Sequence, residues 1–244
     1  MQINIIDEIL VDLGVFIESN YFVDEYAEKV KKYNTEYSID KKLLEKYRLA
    51  ITSINYAYKK TLKYELYFSY FYPDASNISH IDALEHHIHS YLEDLDILKN
   101  KVKHFLESFK NDRKKMSSNK KEVDMEFKDL VQKIVDVFKN MSDYRNPHHH
   151  VGMKFLDSDL VDAGLSAFAL SDDFPLKNDL RPEFREELEK KKIESFEKAK
   201  SKWIKISNNN NIQITGFIDE IFNNYKPLIY DMLGIKPIKD VLNE

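Results

Sequence analysis

Apolar residues recur at helical spacing along most of the chain, and the longest such stripe lies between residues 79 and 113. Its members follow one another at alternating steps of three and four, which predicts one long amphipathic helix with a capping-box-like start at Ser79 and Asp82. They are Ile81, Leu84, Ile88, Tyr91, Leu95, Leu98, Val102, Phe105 and Phe109, with Leu92 and Leu106 widening the stripe. Such a helix extends roughly 45 Å, longer than one face of a bundle usually needs. We therefore expect part of this seam to contact a second copy of the chain.

The same periodicity predicts further helices on both sides of this one. Their approximate ranges are residues 3–19, 22–33, 40–70, 120–144, 160–170, 182–206 and 215–225. The aromatic run Y-E-L-Y-F-S-Y-F-Y at residues 64–72 contains β-prone residues, but no partner strand is evident, so we interpret it as helix that ends before Pro73. The helix at residues 182–206 has only a sparse apolar stripe, which predicts that it lies on the surface.

Polar segments and prolines are predicted to separate these helices. Residues 111–121, N-D-R-K-K-M-S-S-N-K-K, are predicted to form a loop between antiparallel helices, and residues 208–211 to form a turn. Pro227 is predicted to interrupt the last helical segment, because proline lacks a backbone N–H. Asp40 is placed to cap the helix that follows it.

The composition favours an all-α protein. Hydrophobic residues make up 43% and charged residues 32% of the 244 residues, with five glycines and six prolines, a profile typical of long helices joined by few turns. We interpret residues 1–38 as N-terminal packing helices, residues 39–175 as a helical bundle and residues 176–244 as a C-terminal helical extension. The length also fits a single domain.

Charge and cysteine content narrow the classes of function. The formal net charge of -5 argues against general electrostatic attraction to nucleic acid, so any RNA would have to be held by a local patch. The sequence has no cysteine, which excludes disulfides, thiolate metal sites and cysteine nucleophiles. No signal peptide is visible, and no run approaches the 18 or so apolar residues that span a bilayer. We expect a cytoplasmic protein with no membrane contact.

The candidate chemistry is concentrated in residues 143–152, D-Y-R-N-P-H-H-H-V-G, which hold three of the eight histidines beside an arginine. Arginine offers a planar, permanently cationic fork that fits a phosphate, and a neutral histidine can exchange a proton near pH 7. Together they suit phosphodiester chemistry that requires neither a metal nor another cofactor. In the alternative interpretation, Arg145 contacts the last carbonyls of a helix and the histidines form a solvated loop.

The order Arg145-Asn146, three residues and then His150 resembles the signature of HEPN domains, α-helical proteins many of which are ribonucleases or toxins. The resemblance implies an up-down helical bundle in the middle of the chain, with the motif near the start of its last helix. It also implies a homodimer in which two motifs meet in one cleft, and an RNA substrate. An antitoxin or another regulatory protein is a further expected partner, and defence a further expected role.

The resemblance also implies roles for individual residues. The RNA 2′-hydroxyl would attack the adjacent phosphorus, His150 would exchange the proton, and Arg145 would hold the developing charge. Asn146 would orient one of these two side chains. Neighbouring side chains expected to contact the substrate are His148, His149 and Lys154.

Two alternatives stay open. The first is a metal-binding bundle, because His86 and His89 lie one helical turn apart and His148 can supply a further ligand. The second is a non-catalytic helical protein that binds a partner protein or forms one half of a toxin and antitoxin pair. Net acidity and long amphipathic helices suit this second class.

Overall fold

The computed structural model describes residues 4–18, 24–73, 78–143 and 157–243. Most of these residues are helical and none of them lies in a β-strand, which confirms the all-α prediction. Within these ranges the helices, numbered in chain order, are α1 (Ile5–Ile17), α2 (Asp24–Glu36), α3 (Lys41–Thr61), α4 (Tyr64–Tyr70), α5 (His80–Met116), α6 (Lys120–Asp143), α7 (Ser158–Leu170), α8 (Pro182–Leu233) and α9 (Ile238–Leu242), with a 3₁₀ turn at Lys177–Asp179.

The chain forms two compact units. Unit 1 comprises Met1–Lys59, Ile97–Val137 and Gln213–Glu244, and unit 2 comprises Lys60–Asp96 and Phe138–Ile212. Each unit therefore combines segments that are distant in sequence. The helices α5, α6 and α8 each supply residues to both units. The domain boundaries expected near residues 38 and 175 concern independent folding and stay a prediction.

Aromatic side chains from four helices form much of the core of unit 1. Tyr47 of α3 contacts Phe105 and Phe109 of α5 edge to face, with ring centroids 6.1 and 5.9 Å apart. Phe127 of α6 lies 5.7 Å from Phe109, and Phe222 of α8 lies 5.7 Å from Phe105. All five rings are buried. Each of these helices therefore places its apolar stripe against the others, as the periodicity predicts.

A second aromatic group forms the core of unit 2. Tyr91 of α5 lies 5.0 Å from Tyr64 and 5.8 Å from Phe68 of α4, and Phe68 lies 6.2 Å from Trp203 of α8. Trp203 is fully buried, whereas no residue from 182 to 198 is. The prediction that residues 182–206 lie on the surface is therefore right for the first turns and wrong for the last ones, because that part of α8 packs against α4.

α8 continues through two positions where the sequence predicts a break. Residues 208–211 are helical, so the predicted turn is wrong, and Pro227 lies inside the helix. Asparagine is a weak helix former, but Asn210 donates to Tyr91 Oη at 3.0 Å and Ile214 is wholly buried one turn later. Buried neighbours also flank the proline, namely Phe222, Tyr225, Ile229 and Tyr230. Tertiary packing on both sides thus outweighs the lost backbone hydrogen bond.

α5 extends to Met116, and only residues 117–119 separate it from α6. The predicted loop at residues 111–121 is therefore wrong except at its centre. Asp112 supplies the physical reason, because its largely buried carboxylate accepts a hydrogen bond from Tyr47 Oη at 2.9 Å. This contact holds the last turns of α5 against α3.

The seam of α5 is covered within the chain itself. All of its predicted members from Leu84 to Phe109 are buried, and Ile81 is partly buried. The seam therefore has no exposed apolar stripe that could contact a second copy. The length of the seam thus no longer supports a homodimer. It stays a prediction that rests on the family resemblance.

The predicted helix starts are confirmed. Asp40 Oδ1 accepts the backbone N–H groups of Lys42 at 2.9 Å and Leu43 at 3.1 Å. Ser79 Oγ accepts the N–H of Asp82 at 3.1 Å while Asp82 Oδ2 accepts the N–H of Ser79 at 3.1 Å, which is a reciprocal capping box. Local side-chain chemistry thus fixes where α3 and α5 begin.

Helix length alone would allow a bilayer crossing, since α5 has 37 residues and α8 has 52. A span needs about 20 predominantly apolar residues. Among the helices that the structure describes, none combines that length with the apolarity required to cross a membrane.

Candidate functional site

The residues predicted to act on RNA lie outside the part of the chain that the structure describes. They are Arg145, Asn146, His148, His149, His150 and Lys154. The segment that carries them, residues 144–156, follows the end of α6 at Asp143 and precedes Asp157, the N-cap of α7. Both flanking residues belong to unit 2.

Asp157 is anchored more firmly than an ordinary helix cap. Its Oδ1 accepts the backbone N–H groups of Asp159 at 3.1 Å and Leu160 at 3.2 Å. Its Oδ2 accepts Lys202 Nζ at 2.7 Å and Trp203 Nε1 at 3.1 Å, both from α8. The side chain is 0% exposed. Asp157, seven positions after His150, is thus fixed to both α7 and α8.

The environment of Asp157 keeps its carboxylate ionised. Burial by itself would raise the pKa of Asp157, but the hydrogen bonds from Lys202, the Leu160 amide and Trp203 outweigh burial and lower that pKa below its ordinary value. An ionised carboxylate accepts hydrogen bonds and has no proton to give. Asp157 is therefore suited to positioning the chain, and not to acting as a general acid.

The periodicity and motifs of the sequence did not predict this anchor. The signal that was available is an aspartate directly before an apolar helical run, which is the usual pattern of an N-cap. Nothing local indicates that Lys202 and Trp203, which lie 45 and 46 positions away, complete the shell of donors.

Lysines of α8 that face α7 are neutralised by acidic partners. Lys198 Nζ lies 2.6 Å from Asp159 Oδ1, and Lys191 Nζ lies 3.4 Å from Asp162 Oδ2. The hydrogen bond to Asp159 raises the pKa of Lys198. The lysines of both pairs are exposed, so each pair stabilises the fold weakly. Each of these two ammonium groups already has a carboxylate partner.

Four histidines of unit 2 lie near the start of α5. His87 Nε2 is 2.7 Å from the carbonyl of Phe71, and its ring stacks on Tyr67 with centroids 6.0 Å apart. His89 Nε2 lies 3.6 Å from Glu85 Oε1. The other two are His80 and His86. None of the four is buried in the seam of α5, and their described contacts are those of helix packing.

The alternative metal site is incomplete within the described residues. No group of three or more histidine, aspartate or glutamate side chains is placed there to hold a metal ion. The third ligand proposed from the sequence, His148, lies outside these residues. The metal-binding interpretation with His86, His89 and His148 therefore stays an untested alternative.

A buried carboxylate that sequence analysis also missed lies in the core of unit 2. Asp94 Oδ2 accepts Tyr64 Oη at 2.5 Å, and Asp94 Oδ1 accepts Lys60 Nζ at 2.9 Å. Burial, followed by the hydrogen bond to Asp94, raises the pKa of Tyr64 well above its ordinary range. The tyrosine therefore keeps its proton, and the group is a satisfied polar contact between α4 and α5 instead of a reactive pair.

A cavity of about 410 Å³ lies beside these elements in unit 2. Its described lining is Ser79, His80, Ile81, Ala167, Lys192, Ile193, Phe196 and Glu197. Phe196 contacts Tyr72 and His80 with ring centroids 5.6 and 6.2 Å apart, so aromatic groups form one wall. The cavity can take an apolar group, with charged side chains at its rim.

Comparisons were made with models of known protein families, with curated proteins and with solved structures, and none of them gave a match. The interpretation of the site therefore rests on the sequence motif and on the geometry of the described residues.

Proposed function

We propose that the chain is a HEPN-like, metal-independent endoribonuclease of the toxin type. The observation that carries this proposal is the spacing of Arg145, Asn146 and His150 in a chain whose described residues form an all-α helical bundle. Arginine and histidine supply charge stabilisation and proton transfer at this spacing, so the reaction needs no cofactor.

The proposed reaction is transesterification within the RNA strand. The 2′-oxygen forms a bond to the adjacent phosphorus while the bond from phosphorus to the 5′-oxygen of the next nucleotide breaks. His150 removes the proton from the 2′-hydroxyl, and Arg145 binds the non-bridging oxygens on which charge develops. Asn146 orients one of these two side chains. The leaving 5′-oxygen takes up the proton that His150 removed, so the products are a 2′,3′-cyclic phosphate and a 5′-hydroxyl.

The anchoring of Asp157 supports this proposal. Catalysis requires reacting groups to be held in place on rigid elements. Seven positions after His150 comes the carboxylate of Asp157, which Lys202 and Trp203 fix to α8. We therefore assign Asp157, which is fixed to the core of unit 2, a positioning role.

The test is cleavage of a short RNA by the purified chain in the presence of chelator. We expect His150→Ala and Arg145→Ala each to lower the cleavage rate about a hundredfold or more, because each removes a group that acts on the reacting atoms. His149→Ala is the matched control and should lower it much less. Circular dichroism should show the same helix content in all three variants.

The substrate and product requirements make the test sharper. A DNA strand, or RNA with a blocked 2′-hydroxyl, should not be cut, because the proposed nucleophile is absent. The product must end in a 2′,3′-cyclic phosphate. Undiminished cleavage by the double variant of Arg145 and His150, or activity restored only by an added metal ion, would refute this assignment.

A second candidate function is binding of a partner protein such as an antitoxin. The observation that favours it is the cavity of unit 2, whose lining residue Ile193 is 57% exposed beside the ring of Phe196. Exposed apolar side chains at a concave site commonly anchor protein partners. Expression in a host cell separates the two: growth arrest that His150→Ala relieves favours catalysis, whereas equal growth of both strains favours binding.

A further inference from the structure

A basic and aromatic pocket of about 240 Å³ lies between α2 and α9 in unit 1. Its described lining is Lys29, Lys32, Tyr33, Glu36, Tyr37 and Val241. None of these residues belongs to the proposed ribonuclease motif. The pocket is therefore separate from the proposed ribonuclease motif.

Three ammonium groups give this pocket a positive charge. Lys29 and Lys32 lie one turn apart on α2, and Lys29 Nζ donates to the carbonyl of the last residue of α9 at 2.7 Å, which fixes it at the wall. Lys236 Nζ lies 5.4 Å from the centre of the ring of Tyr33, which lines the pocket. Among the described lining residues the opposing carboxylate is Glu36, so positive charge prevails locally in a chain of net charge -5. Such a site favours an anion.

Two stacked tyrosines form the aromatic part of the pocket. The rings of Tyr33 and Tyr37 lie 4.3 Å apart at an interplanar angle of 29°. Tyr33 is buried and donates to the carbonyl of Gly234 at 3.3 Å, whereas Tyr37 is 53% exposed. The inner ring is therefore part of the fold, while the outer ring presents an aromatic surface beside the lysines. Exposed aromatic rings next to cationic groups are suited to stacking nucleobases.

Two tight turns hold this arrangement in place. α2 is terminated by Ser38 and α8 by Gly234, both in the left-handed region with φ of 52° and 67°. Backbone hydrogen bonds of the Schellman type close each end. The turns also touch, since a Cβ added to Gly234 would lie 3.2 Å from Ile39 Cδ1. The backbone around the tyrosines is thus constrained, and the pocket is preformed.

We propose that this pocket binds a nucleotide, with the base stacked on Tyr37 and the phosphate held by Lys29, Lys32 and Lys236. The same chemistry is offered by a free mononucleotide and by one nucleotide of an RNA strand. Binding here does not depend on the proposed ribonuclease activity.

The test is titration calorimetry on the Arg145→Ala/His150→Ala variant, which prevents RNA cleavage during the measurement. The probes are AMP, adenosine, inorganic phosphate and a short unstructured RNA. We expect AMP or the RNA to bind with a salt-dependent affinity, and adenosine and phosphate to bind at least about tenfold more weakly, because each lacks one half of the recognised group.

Matched substitutions on α2 locate the binding. Lys32→Glu and Tyr37→Leu should each weaken binding about tenfold, through charge reversal and loss of stacking respectively. Their controls are Lys31→Glu, which makes the same charge change about 100° around the helix, and Tyr26→Leu, which removes another exposed tyrosine of α2. Both controls should leave the affinity unchanged, and circular dichroism should be the same for all four.

The outcomes separate the sources of the ligand and the two proposals. Pocket-dependent binding of AMP identifies a mononucleotide site, and pocket-dependent binding of RNA alone identifies a strand. Equal weakening by Lys31→Glu and Lys32→Glu would mean general electrostatic attraction and would overturn the proposal, as would the absence of binding by every probe. Failure of the cleavage test leaves this measurement untouched, because the binding protein already lacks Arg145 and His150.

Discussion

Asp112 in unit 1 and Asp157 in unit 2 are both held by an aromatic donor and by lysine, but they differ in how the chain satisfies them. Asp112 is 12% exposed at its side chain and accepts Tyr47 Oη, Lys46 Nζ and Lys115 Nζ, which are all side-chain donors. Asp157 is completely covered and, besides α8, uses two backbone amides of its own helix.

The pKa of both carboxyls is shifted in the same direction, but the two carboxylates differ in the number of their charged partners. Burial would raise the pKa of each carboxyl, and in each case the hydrogen bonds prevail and lower the pKa below its ordinary value. Asp112 has two ammonium partners, whereas the described ammonium partner of Asp157 is Lys202. A buried anion with fewer charged partners is more sensitive to the loss of one of them.

The largest expected effect comes from replacing each carboxylate with its neutral isostere. Asp157→Asn should lower the free energy of unfolding by about 3 kcal/mol, because it removes the charge of a fully buried carboxylate that accepts hydrogen bonds from Lys202 and Trp203. Asp112→Asn should cost about 1 to 2 kcal/mol, since its carboxylate is 12% exposed and solvent can replace part of the lost interaction. Denaturant unfolding followed by circular dichroism measures both values. Equal losses would show that burial makes no difference between the two carboxylates.

A smaller effect is expected from the lysines, which are matched in exposure at 41% for Lys202 and 46% for Lys46. Lys202→Met should lower the free energy of unfolding by about 1 to 2 kcal/mol, because it removes the described ammonium partner of a buried anion. Lys46→Met should cost less than about 1 kcal/mol, since Lys115 still contacts Asp112. The same unfolding measurement applies, and a larger loss for Lys46→Met would reverse the comparison.

The smallest expected effect is on how the free energy of unfolding falls at acidic pH. Since the native pKa of both carboxyls lies below the unfolded value of 3.8, their stabilisation is fully present above that value and is lost as pH falls through the native pKa. Stability should therefore be level above about pH 5 and fall below about pH 4. Asp157→Asn should make that fall shallower than in the wild type. An unchanged slope would mean that Asp157 is protonated alike in the folded and unfolded chain.

The sequence by itself determined the features that depend on near neighbours. Helical periodicity placed α5 and the burial of its seam, because residues three and four apart share one face whatever surrounds the helix. The starts of α3 and α5 were predictable from Asp40 and from the pair Ser79 and Asp82, because a capping side chain binds backbone amides two or three positions away. The proposed ribonuclease motif also comes from the sequence, since it is a local spacing of residue types.

Only the tertiary structure decided the features that join distant segments. Residues 208–211 read as a turn, yet they are helical because Tyr91 and the buried Ile214 supply contacts that asparagine propensity does not reveal. Asp112 belongs to a helix and not to a loop because Tyr47, 65 positions earlier, meets its carboxylate. Tyr33 meets Gly234 across 201 positions to shape the basic pocket. In each case the deciding contact forms only after the chain has folded, and its free energy exceeds the local preference that the sequence expresses.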